Sequence, residues 1–387
     1  MEAYLLKQYH RRSKCLITLL LFLTCAFVIA MINQNWNTKN NTPATRAEHK
    51  YLANFKRSLT KKALHFFVEY EKYCNSNMIP KSFHITSGNI PSSSLCHCVP
   101  DTLAGTINVT FAAPQFVDLQ RQHSELISGG SWTPQSCVPR HRVAIIIPYR
   151  DRELHLRKLL AILHPMLQRQ MLQYSIFVVE QKQPPTFNRA ALMNVGFVEA
   201  RASANFDCFI FHDVDKLPED DRDFYVCLQQ PRHVSPYLSK HRYRMPYSGF
   251  FGGVIALTQP HFEKTNGFSN LYYGWGGEDD DMRVRVTAKH MKIVRFPPDV
   301  SRHTVISHRR DVGNRANPKR FLALRYAYRR NAVDGLNSLQ YSLVVKEQRL
   351  LYTWLLVNLL PTPIDFKGNF IGNASGHNYG IRANARK

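Results

Sequence analysis

The stretch Y-Y-G-W-G-G-E-D-D-D, Tyr272 to Asp281, sets four consecutive carboxylates directly behind a tryptophan and two glycines. Adjacent like charges raise one another's proton affinity, so a fold that keeps them must supply cations or hydrogen-bond donors. The plain explanation is a solvated acidic turn, or the exposed first turn of a helix, where carboxylates suit the helix dipole. The preceding Trp-Gly-Gly points elsewhere. Glycine permits close backbone approach, and an aromatic plate beside carboxylates matches the apolar face and the hydroxyls of a sugar.

A second acidic group, His212-Asp213-Val214-Asp215, closes an apolar run. Strand alternation puts Asp213 and Asp215 on one side of the chain, able to face one cation. A hard divalent ion held by a carboxylate and by substrate phosphates is the usual mount for a nucleotide diphosphate. In S-R-H-T-V-I-S-H, His303 or His308 adds an imidazole, and imidazole with carboxylate favours manganese. Pro148-Tyr149-Arg150-Asp151-Arg152 carries two guanidinium groups of the kind that match phosphate oxygens. Lys240, within K-H-R-Y-R, is a further phosphate candidate and equally a solvated charge.

The elements that must position these groups are legible as runs. R-V-A-I-I-I-P-Y-R is a β-branched stretch stopped near a proline, the pattern of a parallel strand buried on both faces. Glu153 to Arg169 has helical periodicity, Y-S-I-F-V-V-E is a second strand, and N-R-A-A-L-M-N-V-G-F-V-E-A is a second helix. C-F-I-F is a third strand running into His212-Asp213-Val214-Asp215. Strand, helix, strand, helix, strand predicts an α/β, doubly wound sheet whose ligands sit at the carboxyl ends of its strands. Both candidate groups fall there.

The 387 residues suffice for one large domain with appendages, and 44% hydrophobic content argues for a globular body. A formal charge of +23 suggests an anionic partner. No nucleic-acid-binding motif accompanies it, and the N-terminal segment opposes that reading. Cys15 to Ile32 is an uncharged apolar run preceded by Lys7, Arg11, Arg12 and Lys14. By length and flanking charge this is an uncleaved signal anchor, with residues 1–14 cytoplasmic and the rest across the membrane. Residues 33–95 then read as a lumenal stem and 96–387 as the catalytic domain, with Ala47 to Tyr73 carrying an amphipathic helical pattern. Asn40, Asn108 and Asn373 begin N-x-[ST] sequons, and the cysteines beyond the anchor suit disulfides in that compartment.

The ordered landmarks A-I-I-I-P-Y-R-D-R, F-N-R-A-A-L-M-N-V-G-F, F-H-D-V-D, P-Y-S-G-F-F-G-G-V, N-G-F-S-N, G-W-G-G-E-D-D-D, N-P-K-R-F and D-G-L-N-S-L run from about Cys98 to Pro363. Through them the sequence resembles the β-1,4-galactosyltransferase family of type II Golgi membrane enzymes. The resemblance implies a GT-A type nucleotide-sugar-binding fold, manganese, and a UDP-sugar donor. It also implies inverting transfer onto the 4-hydroxyl of a terminal N-acetylglucosamine or glucose on a glycoprotein or glycolipid. Carried over by position, Pro148, Tyr149, Arg150, Arg152, Phe187, Arg189, Asp213, Val214, Lys240 and Trp275 face the donor. Tyr247, Phe250, Gly277, Glu278, Asp279, Asp280, Arg320, Phe321 and Leu324 face the acceptor. Asp279 is the expected base with Glu278 beside it, Asp215 and His308 are the expected metal ligands, and the stretch from His308 to Leu324 is the expected lid. The resemblance implies disulfides between Cys98 and Cys137 and between Cys208 and Cys227; Cys74 and Cys96 have no family partner, and a bond between them is one open option.

Two positions depart from the family. Val305 stands where a methionine usually completes the metal site, and Phe250 where vertebrate members carry a tyrosine and N-acetylgalactosamine-using invertebrate relatives often carry an isoleucine. The competing expectation from another class is a lectin-like protein on a degenerate transferase fold, which intact Asp215, Asp279 and His308 oppose.

Overall fold

The computed structural model describes residues 59–77, 95–110, 112–183, 186–308 and 312–371. From Thr60 onward these belong to one unit. The expected anchor at Cys15–Ile32 and the sequons at Asn40 and Asn373 lie outside the described residues; among those described, no helix is long and apolar enough to cross a membrane. Asn108 is exposed.

The helices are α1 (Lys61–Asn77), α2 (Phe116–Gln122), α3 (Glu153–Arg169), α4 (Arg189–Ser203), α5 (Gln259–Lys264), α6 (Glu278–Ala288), α7 (Arg320–Arg325) and α8 (Ala327–Arg330). The strands are β1 (Arg142–Tyr149), β2 (Gln173–Gln181), β3 (Cys208–His212), β4 (Lys216–Pro218), β5 (Arg232–His233), β6 (Tyr237–Leu238), β7 (Val254–Thr258), β8 (Val294–Arg295), β9 (Arg302–Val305), β10 (Tyr341–Gln348) and β11 (Thr353–Leu359). Eight of them form one mixed sheet in the order β10-β11-β2-β1-β3-β7-β5-β8, and β4-β9-β6 form a second.

The contiguous apolar run of β1 is explained by its place. It lies at the centre, parallel to β2 on one side and to β3 on the other, with Val143 to Pro148 buried. The chain moves from β1 through α3 to β2, then through α4 to β3 on the opposite flank of β1. That reversal opens a crevice at the carboxyl ends of β1 and β3, where α/β sheets bind ligands. Helix α4 seals the core beneath it with Ala190, Leu192, Met193, Val195 and Phe197. It approaches β1 closely because position 196 is glycine: a Cβ there would stand 2.4 Å from Ile146 Cγ2.

Beyond β3 the sheet turns antiparallel. Strand β7 pairs with β3 and β5, and β5 pairs in parallel with β8. In the small sheet, β4 pairs antiparallel with β9, setting Lys216 opposite Val305 and Pro218 opposite His303. Ile306 N also donates to Asp215 O at 3.0 Å, which returns the chain carrying His308 to the end of β3.

The amphipathic pattern read over Ala47–Tyr73 is a helix at 61–77, the part before residue 59 lying outside the described residues. Within the span read as stem, α1 packs on the body. Ala63, Phe67, Tyr70 and Cys74 form its buried stripe, and the Phe66 and Tyr70 rings meet Phe296 at 4.3 Å and Phe224 at 5.0 Å.

Among the described residues there are three disulfides: Cys74–Cys98, Cys96–Cys137 and Cys208–Cys227. The last agrees with the expected pair. The expected Cys98–Cys137 pairing and the open Cys74–Cys96 option are corrected by an exchange of partners. Cys96 N donates to Val138 O at 2.9 Å, and Leu95 bridges Val138, which holds Cys96 beside Cys137. Two residues on, Cys98 meets α1 instead, where Asn75 and Cys74 stand.

Candidate active site

Residues 148–152 leave β1 and lead into α3. Pro148 and Arg150 are buried, Asp151 takes the left-handed conformation at φ 50°, and Arg152 stands at the N-cap position of the helix that follows, without a side-chain capping bond. Arg150 lies 4.9 Å over the Phe187 ring and donates to Gly313 O at 2.9 Å. Phe187 N donates to the same carbonyl at 3.0 Å, Trp275 N to Arg315 O at 2.9 Å, and Asn317 N to Trp275 O at 3.0 Å. The described part of the expected lid is therefore stitched against three expected donor residues, Arg150, Phe187 and Trp275.

Arg189 begins α4, and its position is fixed from behind by Asn188, whose side chain accepts from Ala191 N at 2.9 Å. Its guanidinium joins the two acidic motifs. Nε donates to Asp213 Oδ1 at 2.5 Å, and one terminal nitrogen reaches Asp279 Oδ1 at 2.7 Å and Glu278 Oε1 at 3.3 Å. The crevice end of β3 and the acidic run thus share one partly buried cation.

The acidic run forms the first turn of α6. Gly277, at φ 98°, supplies the left-handed turn that starts the helix, and its missing Cβ leaves room for the Tyr272 ring. The four carboxylates then part company. Asp280 Oδ1 accepts from the half-exposed Tyr247 hydroxyl at 3.0 Å. Asp281 turns fully inward, accepting from Arg285 Nε at 2.5 Å, an Arg330 terminal nitrogen at 2.7 Å and Tyr272 OH at 2.9 Å. Asp334 completes the cluster by binding both arginines. Two carboxylates and two guanidinium groups are balanced there with no solvent contact.

Glu278 and Asp279 remain at the crevice. Burial, and then the neighbouring Asp279, push the Glu278 carboxyl up to about 7. Its Oε2 is buried without a hydrogen-bond partner among the described residues. Burial also raises Asp279, an effect that Arg189 opposes. Asp279 Oδ2 lies against Gly252, where an added Cβ would come within 2.4 Å of it and 3.0 Å of Phe250 Cε2. Phe250 therefore borders the free oxygen of Asp279, its ring edge-on to His233 at 5.0 Å and to Tyr247 at 5.7 Å.

Asp215 and His308 are also brought together, with His308 Nε2 3.6 Å from Asp215 Oδ2. Lys216 Nζ stands 2.5 Å from the other oxygen. Burial acts to raise the Asp215 carboxyl, but Lys216 and His308 more than offset it and hold it far below the usual range. The donor types fit manganese, an imidazole nitrogen with a carboxylate oxygen. They are two in number: Val305 brings no donor, and among the described residues no three His, Cys, Asp or Glu side chains gather as a metal-holding group. The remaining positions suit phosphate oxygens.

Asp213 and Asp215 share one cation of the chain itself, Lys216, whose Nζ lies 3.6 Å from Asp213 Oδ2 and 2.5 Å from Asp215 Oδ1, but the shorter contact of Asp213 is elsewhere. Strand β3 ends at His212, alternation lapses in the turn that follows, and Asp213 goes to Arg189. His303 is buried, 3.3 Å from the Tyr225 hydroxyl, and is not a partner of Asp215. Lys240 is exposed on a single turn, Ser239–His241, in the field of Lys216, Asp215 and Asp213. On the outer wall, Trp275 (59% exposed) and Phe321 (68%) flank Arg320, whose guanidinium carbon is 6.0 Å and 4.4 Å from the two rings. Leu324 is partly buried one turn further along α7. Such exposed aromatic surface beside carboxylates suits a sugar acceptor.

Sequence reasoning missed Lys216, the Asp281–Arg285–Arg330–Asp334 cluster, and His155, whose ring meets His308 edge-on at 5.6 Å. D-G-L-N-S-L was available as a signal for the cluster, since its first residue is Asp334.

Comparison with known proteins places this crevice in a class. Residues 96–228 match the family described as the N-terminal region of glycosyl transferase group 7, and residues 232–309 match the N-terminal domain of galactosyltransferase. The chain is a UDP-sugar glycosyltransferase. It is 45% identical over 263 residues to β-1,4-galactosyltransferase 4 of Homo sapiens, covering 68% of this chain and 76% of that one. It is 43% identical over 298 residues to β-1,4-galactosyltransferase 3 of Mus musculus, covering 76% and 75%. The chain belongs to the β-1,4-galactosyltransferase family. Among solved structures, a mutant Drosophila β1,4-galactosyltransferase 7 in complex with manganese, UDP-Gal and xylobiose is 30% identical, covering 57% of this chain and 95% of that one at a TM-score of 0.49.

Proposed function

We propose that the chain is an inverting, manganese-dependent transferase of GT-A type. It moves galactose from UDP-galactose in β1,4 linkage onto a terminal N-acetylglucosamine, or glucose, of a glycoprotein or glycolipid glycan. The observation that carries this reading is the Arg189 bridge, which joins Asp213 on the donor side to Glu278 and Asp279 on the acceptor side. Pro148, Tyr149, Arg150, Arg152, Phe187, Arg189, Asp213, Val214, Lys240 and Trp275 line the donor side. Asp215 and His308 hold manganese, which when bound supplies positive charge to the departing diphosphate. Arg150 and Arg152 present guanidinium forks to the same oxygens.

Tyr247, Phe250, Gly277, Asp280, Arg320, Phe321 and Leu324 seat the acceptor sugar. Asp279 keeps one oxygen on Arg189 and the other free beside Phe250 and Gly252. That free oxygen takes the proton of the acceptor 4-hydroxyl as the hydroxyl oxygen attacks the anomeric carbon. The bond to UDP breaks on the opposite face, so the configuration inverts. Glu278, beside it, orders the sugar hydroxyls.

Phe250 supports a second reading, transfer of N-acetylgalactosamine. Its ring keeps an aromatic's bulk next to Asp279, which favours galactose, but it has no hydroxyl to oppose an acetamido group. The cell-biological part of the proposal is a Golgi enzyme anchored by Cys15–Ile32 with its body lumenal and glycans at Asn40, Asn108 and Asn373; the exposure of Asn108 supports it. The deciding experiment is a donor screen with manganese and an N-acetylglucosamine acceptor. UDP-galactose is expected to be the better donor, with measurable use of UDP-N-acetylgalactosamine. A preference of about tenfold or more for the N-acetylated donor, well within what one pocket contact can produce, selects the second reading.

A further inference from the structure

Asp215 is held from two sides by unequal partners. His308 Nε2 stands 3.6 Å from Oδ2, while Lys216 Nζ is at 2.5 Å from Oδ1 and also 3.6 Å from Asp213 Oδ2. Lys216 is not a surface lysine that happens to reach inward, being only 5% exposed. Its cross-strand neighbour on β9 is Val305, which brings no donor to the same place. One position of this pair is therefore apolar, and the other carries a fixed positive charge on the carboxylate expected to ligate metal.

We propose that Lys216 is a resident counter-cation that competes with the divalent metal for Asp215 and so sets the metal affinity of the donor site. The inference rests on the metal reading above. Without metal, the ammonium compensates a largely desolvated carboxylate whose other partner is only an imidazole, and removing it leaves that charge poorly balanced. To take Asp215 as a ligand, a divalent ion must displace that ammonium and then lie near a charge of its own sign. Lys216 thus keeps the donor side charge-balanced while metal is scarce, and it raises the metal concentration at which the site loads. A lysine with a packing role alone would leave metal affinity unchanged.

The test is a titration of the purified enzyme with manganese, following free Mn²⁺ by electron paramagnetic resonance, together with thermal denaturation in chelator and in manganese. Lys216→Met is expected to bind manganese about 10–100-fold more tightly than wild type, the range over which groups next to a metal's ligands alter affinity. Lys216→Arg keeps the charge and is expected to keep the wild-type affinity. In chelator, Lys216→Met should melt below wild type, and manganese should raise its Tm by more, because tighter binding stabilises the folded state more. Lys216→Gln, which retains a hydrogen-bond donor to Asp215, gives the same comparison if the methionine variant folds poorly. Asp215→Ala and His308→Ala should lose binding. If they do while Lys216→Met and Lys216→Gln bind like wild type, the competition is refuted and the metal site stands. If Asp215→Ala and His308→Ala bind normally, the metal reading itself fails. Failure of wild type and every Lys216 variant to bind manganese overturns both.

Discussion

Replacing Asp281 by asparagine separates the two kinds of carboxylate that share the acidic run. In the native cluster Asp281 and Asp334 face Arg285 and Arg330, all four without solvent contact. Asparagine keeps the shape but leaves two buried guanidinium groups against one carboxylate, and it weakens the bond from Tyr272 OH. Removing one partner of a buried pair costs about 3–5 kcal/mol, because the remaining charge stays desolvated. At roughly 2–4 °C per kcal/mol for a domain this large, the midpoint should fall by about 6–20 °C. Asp280→Asn is the control one residue away. It only weakens one bond from a half-exposed tyrosine, a change worth about 1 kcal/mol or less, so its midpoint should stay within about 4 °C while acceptor KM rises. Paired thermal scans of the two variants with acceptor kinetics make the comparison. Equal midpoints for Asp281→Asn and Asp280→Asn would refute the division of the run into a structural and a functional half.

Other perturbations test the crevice itself. Burial raises the Asp279 carboxyl, which places the acid limb of kcat/KM above the ordinary carboxylate range: activity needs the ionised base, so it should be lost on acidification before that range is reached, and a plateau persisting to an ordinary carboxylate pKa of about 4 would contradict this. Gly252→Ala puts a methyl 2.4 Å from Asp279 Oδ2, and a base displaced by about 1 Å should cost on the order of 100-fold in kcat; unchanged turnover would detach that oxygen from the chemistry. Phe250→Ile should shift donor preference towards UDP-N-acetylgalactosamine and Phe250→Tyr towards UDP-galactose, by about tenfold to two-hundredfold, as read from the ratio of kcat/KM values. Identical ratios in both variants would show that Phe250 does not sort donors.

Much of the framework was written in the order of apolar runs. Strands β1, β2 and β3 and helices α3 and α4 lie where the unbroken β-branched stretches and the helical spacing placed them, because a central parallel strand buried on both faces needs no polar alternation. The antiparallel flank was not legible: β5 and β8 have two residues each, too few to carry a period. Inside the acidic run, helical geometry decides what composition cannot. Glu278 and Asp281 are three apart and share the buried face, yet Asp281 alone is met there by Arg285, Tyr272 and the distant Arg330. Cys96 and Cys98 are two residues apart, so their distances to Cys137 along the chain are almost the same, and the docking of α1 settles the pairing. Lys216 directly follows an acidic motif, and nothing in the sequence around it marks it out. Its burial comes from the β4–β9 pairing, a contact between segments about ninety residues apart.

The central claim is that Asp279 removes the acceptor proton while the donor is held by other groups. Asp279→Asn tests it most directly, with UDP-galactose binding measured by calorimetry and turnover measured on an N-acetylglucosamine acceptor. The account predicts donor affinity close to wild type and turnover reduced by about 10²–10⁴-fold, the scale of a lost general base. Turnover near wild type with donor binding intact would place the base elsewhere and contradict the account.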